Sequence, residues 1–209
     1  LLYLNFGRLA EAENALDQAR EIFFRLGDKS GEGTTQLNRC GLLTERGDLA
    51  AARSRCQSAL ELFRAAEEPS ALPEIQIALA RIDRLAGEFD AARSRLDRIE
   101  KPLRELGDES VSHAARLERA QLEFDDGRLD RAAMEARAAF SAATAATASP
   151  AAAAEAAALL ARVLAEAGDR AGSQRALADS YRSLAGDENL ALHLRRAMVA
   201  ARGADDARA

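Results

Sequence analysis

The chain has 209 residues, a formal net charge of −5 and no tryptophan. Alanine supplies about a quarter of it while Gly and Pro are few, the composition of closely packed helices and not of a strand-rich fold. A pI near 5.3 lacks the basic footprint of a nucleic-acid binder. No apolar run reaches the roughly 20 residues needed to cross a bilayer, so no nucleic acid and no membrane is expected as a partner and a cytoplasmic location is expected.

In chain order, the apolar spacing predicts helices over 1–6, 8–26, 31–46, 48–66, 71–86, 88–106, 110–126, 128–146, 150–167, 169–185 and 187–202. Alternate junctions fall at Gly7, Gly47, Gly87, Gly127 and Gly168, so the chain repeats about every 40 residues. Each of these glycines suits a left-handed position ending one helix, and Asp48, Glu88 or Asp169 behind it suits the positive end of the next. The other junctions carry Gly27-Asp28 and Gly107-Asp108, with Ala66 to Pro69 at the intermediate place. Ser149-Pro150 reads as an N-cap and first helical residue. Gly31-Glu32-Gly33 falls in a linker without a preceding strand, which argues against a phosphate loop. Pro102 lies within 88–106, where apolar spacing continues through Leu103 and Leu106, so a kinked helix is expected there.

Aligned at this period, the helices after the glycines share the columns Ala12, Ala52, Ala92, Ala132 and Leu16, Cys56, Leu96, Ala136. Those before them share Cys40, Ala80, Ala120, Ala161 and Leu42, Ile82, Leu122, Val163. Small residues in register mark close helix approach, and each hairpin must bury its apolar face on its neighbours. The second helix of the fourth unit carries Ala136, Ala139, Ala143 and Ala146 where the third has Leu96, Ile99, Leu103 and Leu106, so a thinner core layer is expected there.

The runs Gly47-Asp48-Leu49-Ala50-Ala51-Ala52, Gly87-Glu88-Phe89-Asp90-Ala91-Ala92 and Gly127-Arg128-Leu129-Asp130-Arg131-Ala132, each with a small residue seven places before its glycine, resemble the tetratricopeptide repeat. The usual unit of that family is shorter, and these resemble its long-helix variants in bacterial signalling proteins and kinesin light chains. The large aromatics common early in the first helix are replaced by Gln36, Gln76, Arg116 and Ala157. The resemblance implies an all-α, right-handed α-solenoid of stacked antiparallel helix hairpins, a superhelix of about five repeats. One array would span 1–209, with units at 1–28, 31–68, 71–108, 110–148 and 150–186 and a terminal helix at 187–202. The chain reads as a piece of a larger protein.

In the family the first helices line a concave groove, where an asparagine before the small position holds a bound peptide's backbone. Asn38 has that place, and by the same register Arg81, Arg84, Gln121 and Arg162 face the groove, with Glu45, Asp125 and Glu166 at its rim. Together they suit an acidic or extended peptide. The lysines and asparagines of a full carboxylate clamp are missing. His113 and His193 stand apart from clustered acids or cysteines and read as surface or helix-cap residues, so no metal or other cofactor is expected. Cys40 and Cys56 occupy core columns and read as buried reduced thiols, a disulfide between facing helices being the alternative.

The expected function is protein–protein interaction: a scaffold, not an enzyme, binding a protein or peptide segment in its groove within a bacterial signalling or regulatory protein. Alternatives are a small-ligand-sensing domain of a transcription regulator and self-association through truncated ends at Leu1, Leu2, Leu4 and Phe6.

Overall fold

The computed structural model describes residues 9–145 and 150–183. The described residues are helical almost throughout: α1 (Leu9–Leu26), α2 (Lys29–Glu45), α3 (Leu49–Ala65), a 3₁₀ turn at Pro69–Ala71, α4 (Leu72–Leu85), α5 (Phe89–Leu106), α6 (Glu109–Asp125), α7 (Leu129–Ala145), α8 (Pro150–Glu166) and α9 (Arg170–Ser183). The expected helices at 1–6 and 187–202, with Gly7 and Ser149, lie outside the described residues.

Why the helices end where they do is visible in the backbone. Gly47, Gly87, Gly127 and Gly168 have φ of 78°, 76°, 75° and 81°. Around Gly47, its own N–H donates to the Thr44 carbonyl and that of Asp48 to the Leu43 carbonyl, both at 3.0 Å. This paired closure satisfies the last orphan carbonyls of a helix and requires a left-handed residue. Residues 27, 67 and 107, again spaced by 40, adopt the same conformation, but the middle one is Glu67 with φ 57°. The next helix starts on a side-chain cap: Asp28 accepts from the Gly31 N–H at 2.9 Å and Asp48 from that of Ala51 at 3.1 Å. Asp108 and Asp169 cap α6 and α9 likewise. Glu88 stands at the N-cap of α5, where its charge suits the helix start, but it makes no cap bond and pairs with Arg53.

Gly31-Glu32-Gly33 is not a linker. The Asp28 cap starts α2 at Lys29, which carries both glycines inside the helix, where they are buried. A side chain on Gly31 would collide with the Phe23 ring, and a Cβ on Gly33 would come within 2.9 Å of Phe63. The two glycines let aromatic rings of α1 and α3 lie directly on the backbone of α2. Helix α5 runs unbroken through Pro102, which has no N–H to return to the carbonyl four residues back.

Helices pack on their sequence neighbours within two compact units, one ending at Gly107 and the other beginning at Asp108. In the first, each of α1 to α5 contacts the next and α2 also touches α4. Its core joins Cys40, Ala52, Cys56, Ala59, Phe63, Ile75, Leu79 and Ile82. Burying each of the large aliphatic chains contributes about 1.5–3 kcal/mol. In the second unit each of α6 to α9 contacts the next and α6 also touches α8, around Ala120, Ala132, Ala136, Leu160, Ala161, Val163, Leu164 and Ala176. The alanine column is buried at every position, from Ala12 at 5 % exposure to Ala132 at 0 %. Ala136, Ala139 and Ala143 form the expected thin layer of α7, whereas α5 buries Leu96, Ile99 and Leu103.

Candidate functional site

The first unit concentrates its polar chemistry on α2, α3, α4 and α5. Asp83 lies on α4, four residues before the turn glycine, and is wholly buried. Two arginines hold it: Arg53 of α3 donates from Nη1 to Oδ1 at 2.5 Å, and Arg95 of α5 donates from Nε to Oδ2 at 2.5 Å. Each extends the network outward, Arg53 to Glu88 at 2.9 Å and Arg95 to Gln76 Oε1 at 3.3 Å. Burial by itself would lower the Arg53 pKa, but the bond to Glu88 and the charges of Asp83 and Glu88 outweigh it and raise it. The carboxylate therefore ties together three successive helices through charge-assisted bonds.

One hairpin earlier the pattern changes. Arg39 of α2 pairs with Asp17 of α1, and Arg46 holds Glu13 through two bonds of 3.0 and 3.2 Å. Arg39 Nε and Gln36 Oε1 are buried without a hydrogen-bond partner. The Arg39 pKa is lowered, first by burial and then by the nearby charge of Arg55.

Of the residues expected in the groove, Asn38, Arg81 and Arg84 lie in the first unit: Asn38 half-buried on α2, Arg81 exposed and Arg84 half-buried on α4. Gln121 and Arg162 lie in the second. Gln121 donates to Asp125 at 2.8 Å along α6, and the exposed Arg162 of α8 stacks over the Phe124 ring, 4.5 Å from its centroid. Both are thus held in place by neighbours, Arg162 through a cation–π contact.

Two readings of the sequence are corrected. Cys40 and Cys56 are not separate thiols: the α2–α3 contact brings their Cα atoms to 5.3 Å, and the sulfurs are bonded. Their columns face each other across the hairpin, so the alternative reading, a disulfide between facing helices, is the one the packing realises. His113 is neither exposed nor a cap. It is half-buried on α6 with both ring nitrogens shut away from solvent, and burial lowers its pKa against the opposing charge of Glu155 and the backbone groups of Ala152 and Ala139.

The arginine–Asp83 network was not anticipated, although a signal existed. The column four places before the glycines reads Leu43, Asp83, Glu123, Leu164, and acids at the two middle places of a core column demand a cation or donor partner. Among the described residues, no group of three or more His, Cys, Asp and Glu is arranged to hold a metal ion, and no helix is long and apolar enough to cross a membrane. Among the described residues, one open depression of about 400 Å³ runs along Asp90, Arg93, Asp97 and Arg98 of α5, and another of about 650 Å³ lies at the start of α7 beside Ala167.

No protein-family model and no curated protein matches the chain. Among solved structures it is similar to BtubC (BKLC) from P. vanneervenii, with a TM-score of 0.68 and 18% identity over 88% of this chain and 76% of that one. At this identity the likeness is one of fold: an all-helical chain whose helices pack in sequence-adjacent pairs.

Proposed function

We propose that this chain is a tetratricopeptide-like interaction scaffold, a right-handed solenoid of about five hairpins that holds a segment of a partner protein along its first helices. The observation that carries the reading is the constancy of the small-residue columns: they spend the inner faces entirely on neighbour packing and leave Asn38, Arg81 and Arg84 of the first unit, and Gln121 and Arg162 of the second, outside the core. Preformed helices lose little entropy on binding, and such side chains suit an extended segment bearing carbonyls and carboxylates. The setting is a bacterial regulatory protein in the cytoplasm. The Cys40–Cys56 bond pulls the other way on location, because a reducing cytosol keeps thiols reduced. Counting free thiols in protein quenched inside cells decides that point.

The test is selection from a displayed random-peptide library, with every hit repeated on the Asn38→Ala, Arg81→Glu double variant. Loss of binding in the variant is the expected result; hits that bind both proteins equally would remove these residues from the recognition surface.

A second reading, self-association, is favoured by Ile22, Phe24 and Leu26 of α1, which are 56 %, 66 % and 72 % exposed. Leu1, Leu2, Leu4 and Phe6, expected to take part, lie outside the described residues. Light scattering at the monomer mass across a concentration series would end this reading.

A further inference from the structure

The two hairpins of the first unit can be compared position by position, because a step of 40 residues superposes their columns. Gln36, Leu43 and Arg55 of the α2–α3 pair correspond to Gln76, Asp83 and Arg95 of the α4–α5 pair. In the later hairpin the set is complete: Arg95 donates to both Asp83 and Gln76. In the earlier one Leu43 replaces the acid, Gln36 Oε1 is buried without a partner, and Arg55, half-buried, forms no ion pair among the described residues. The acids nearby are already taken, Asp17 by Arg39 and Glu13 by Arg46. Cys40 and Cys56, whose Cα atoms are 5.3 Å apart, immediately follow Arg39 and Arg55 and so bring the two arginines to the same flank of the hairpin. The guanidinium of Arg55 offers a fork of donors that matches a carboxylate.

We propose that Arg55, flanked by Arg39 and Gln36, is a receiving site for a carboxylate contributed by a bound segment, with Asp83 in the neighbouring hairpin showing the bonding that the ligand would make. The proposal rests on the reading of the chain as a peptide-binding scaffold and names a chemical preference for it. Arg55 binds the carboxylate directly and Arg39 adds positive potential, while Gln36 stands where Gln76 stands beside Arg95.

The test follows the arginine Nε–H signals by NMR at slightly acidic pH during titration with three short peptides. One is blocked at both ends with a single glutamate, one is its glutamine counterpart, and one has a free C-terminus as its sole carboxylate. The Arg55 signal is expected to shift saturably with the first or third peptide, identifying a side-chain or terminal source, and not with the second, while Arg95, already clamped, stays still. Leu43→Asp, which supplies an internal carboxylate, should weaken binding at least tenfold, and Leu43→Asn, similar in shape but uncharged, should weaken it less than threefold. Equal shifts with the glutamine peptide, no saturable shift with any peptide, or binding unaffected by Leu43→Asp would each overturn the site. Library peptides that tolerate Arg55→Leu but are lost in the Asn38→Ala, Arg81→Glu protein would overturn it while leaving the scaffold reading intact.

Discussion

Arg95 and Asp83 stand twelve residues apart on the two arms of one hairpin, and the 2.5 Å bond between them closes over a carboxylate that has no contact with solvent. Because Arg53 reaches the same carboxylate from the preceding helix, Asp83 is the shared anchor of α3, α4 and α5. Deleting it leaves Arg53 only Glu88 and Arg95 only Gln76 as partners, on side chains 29 % and 23 % exposed, so water relieves part of the penalty. Asp83→Ala should therefore cost about 2–4 kcal/mol, somewhat below the full range for breaking a buried pair. Asp83→Leu, which copies the chemistry of Leu43, should cost less when combined with Arg95→Leu than when made alone. Urea denaturation of the four proteins in that cycle measures the coupling; additive effects would mean that the bond carries no net stabilisation.

Glu67 is the one described non-glycine residue with positive φ, and glycine fills the matching places at 27 and 107. A left-handed conformation costs an L-residue about 1–2 kcal/mol, offset in part by the greater unfolded-state freedom of glycine. Glu67→Gly should raise stability by about 0.5–1 kcal/mol, and Gly107→Ala should lower it by a similar amount. Thermal melting of each variant checks both signs, and a lower melting temperature for Glu67→Gly would contradict the argument.

The Cys40–Cys56 bond closes a loop with a sequence separation of 16. Loops of that size restrict the unfolded chain by about 3 kcal/mol in the chain-entropy description. Reduction should lower the melting temperature of the wild type and leave that of the Cys40→Ala, Cys56→Ala protein unchanged. Both cysteines have zero solvent exposure, so thiol reagents should label the reduced protein only after unfolding.

His113 sets a pH dependence in the second unit. Burial lowers its folded pKa below the unfolded value of about 6.5, which means that the unfolded chain binds the proton more readily. Its contribution is therefore fully present above about pH 6.5 and declines as pH falls from there toward the folded pKa. Glu155 opposes the shift and Arg116 reinforces it. His113→Leu should flatten the fall in stability between about pH 7 and 5, read as the difference between wild-type and variant denaturation midpoints. Parallel midpoints across that range would show that the ring does not titrate with unfolding.

Much of the architecture follows from local chemistry that the sequence states openly. Gly47, Gly87, Gly127 and Gly168 end helices because glycine alone enters the left-handed turn without strain, and alternating steps of three and four put the small and apolar columns on one face whatever they pack against. Helix positions and the all-α class were therefore legible, as was the burial of the alanine column. What the sequence could not disclose depends on where one helix lies across another. That Phe23 covers Gly31, which of the two readings of Cys40 and Cys56 holds, that His113 loses its solvent and that Asp83 gathers arginines from two other helices are all long-range facts, decided by crossing geometry. The repeat made Arg55 and Arg95 look alike, and the column that reads Leu43 in one unit and Asp83 in the next already differed; only the packed structure showed that Arg95 is bonded to that Asp83 carboxylate.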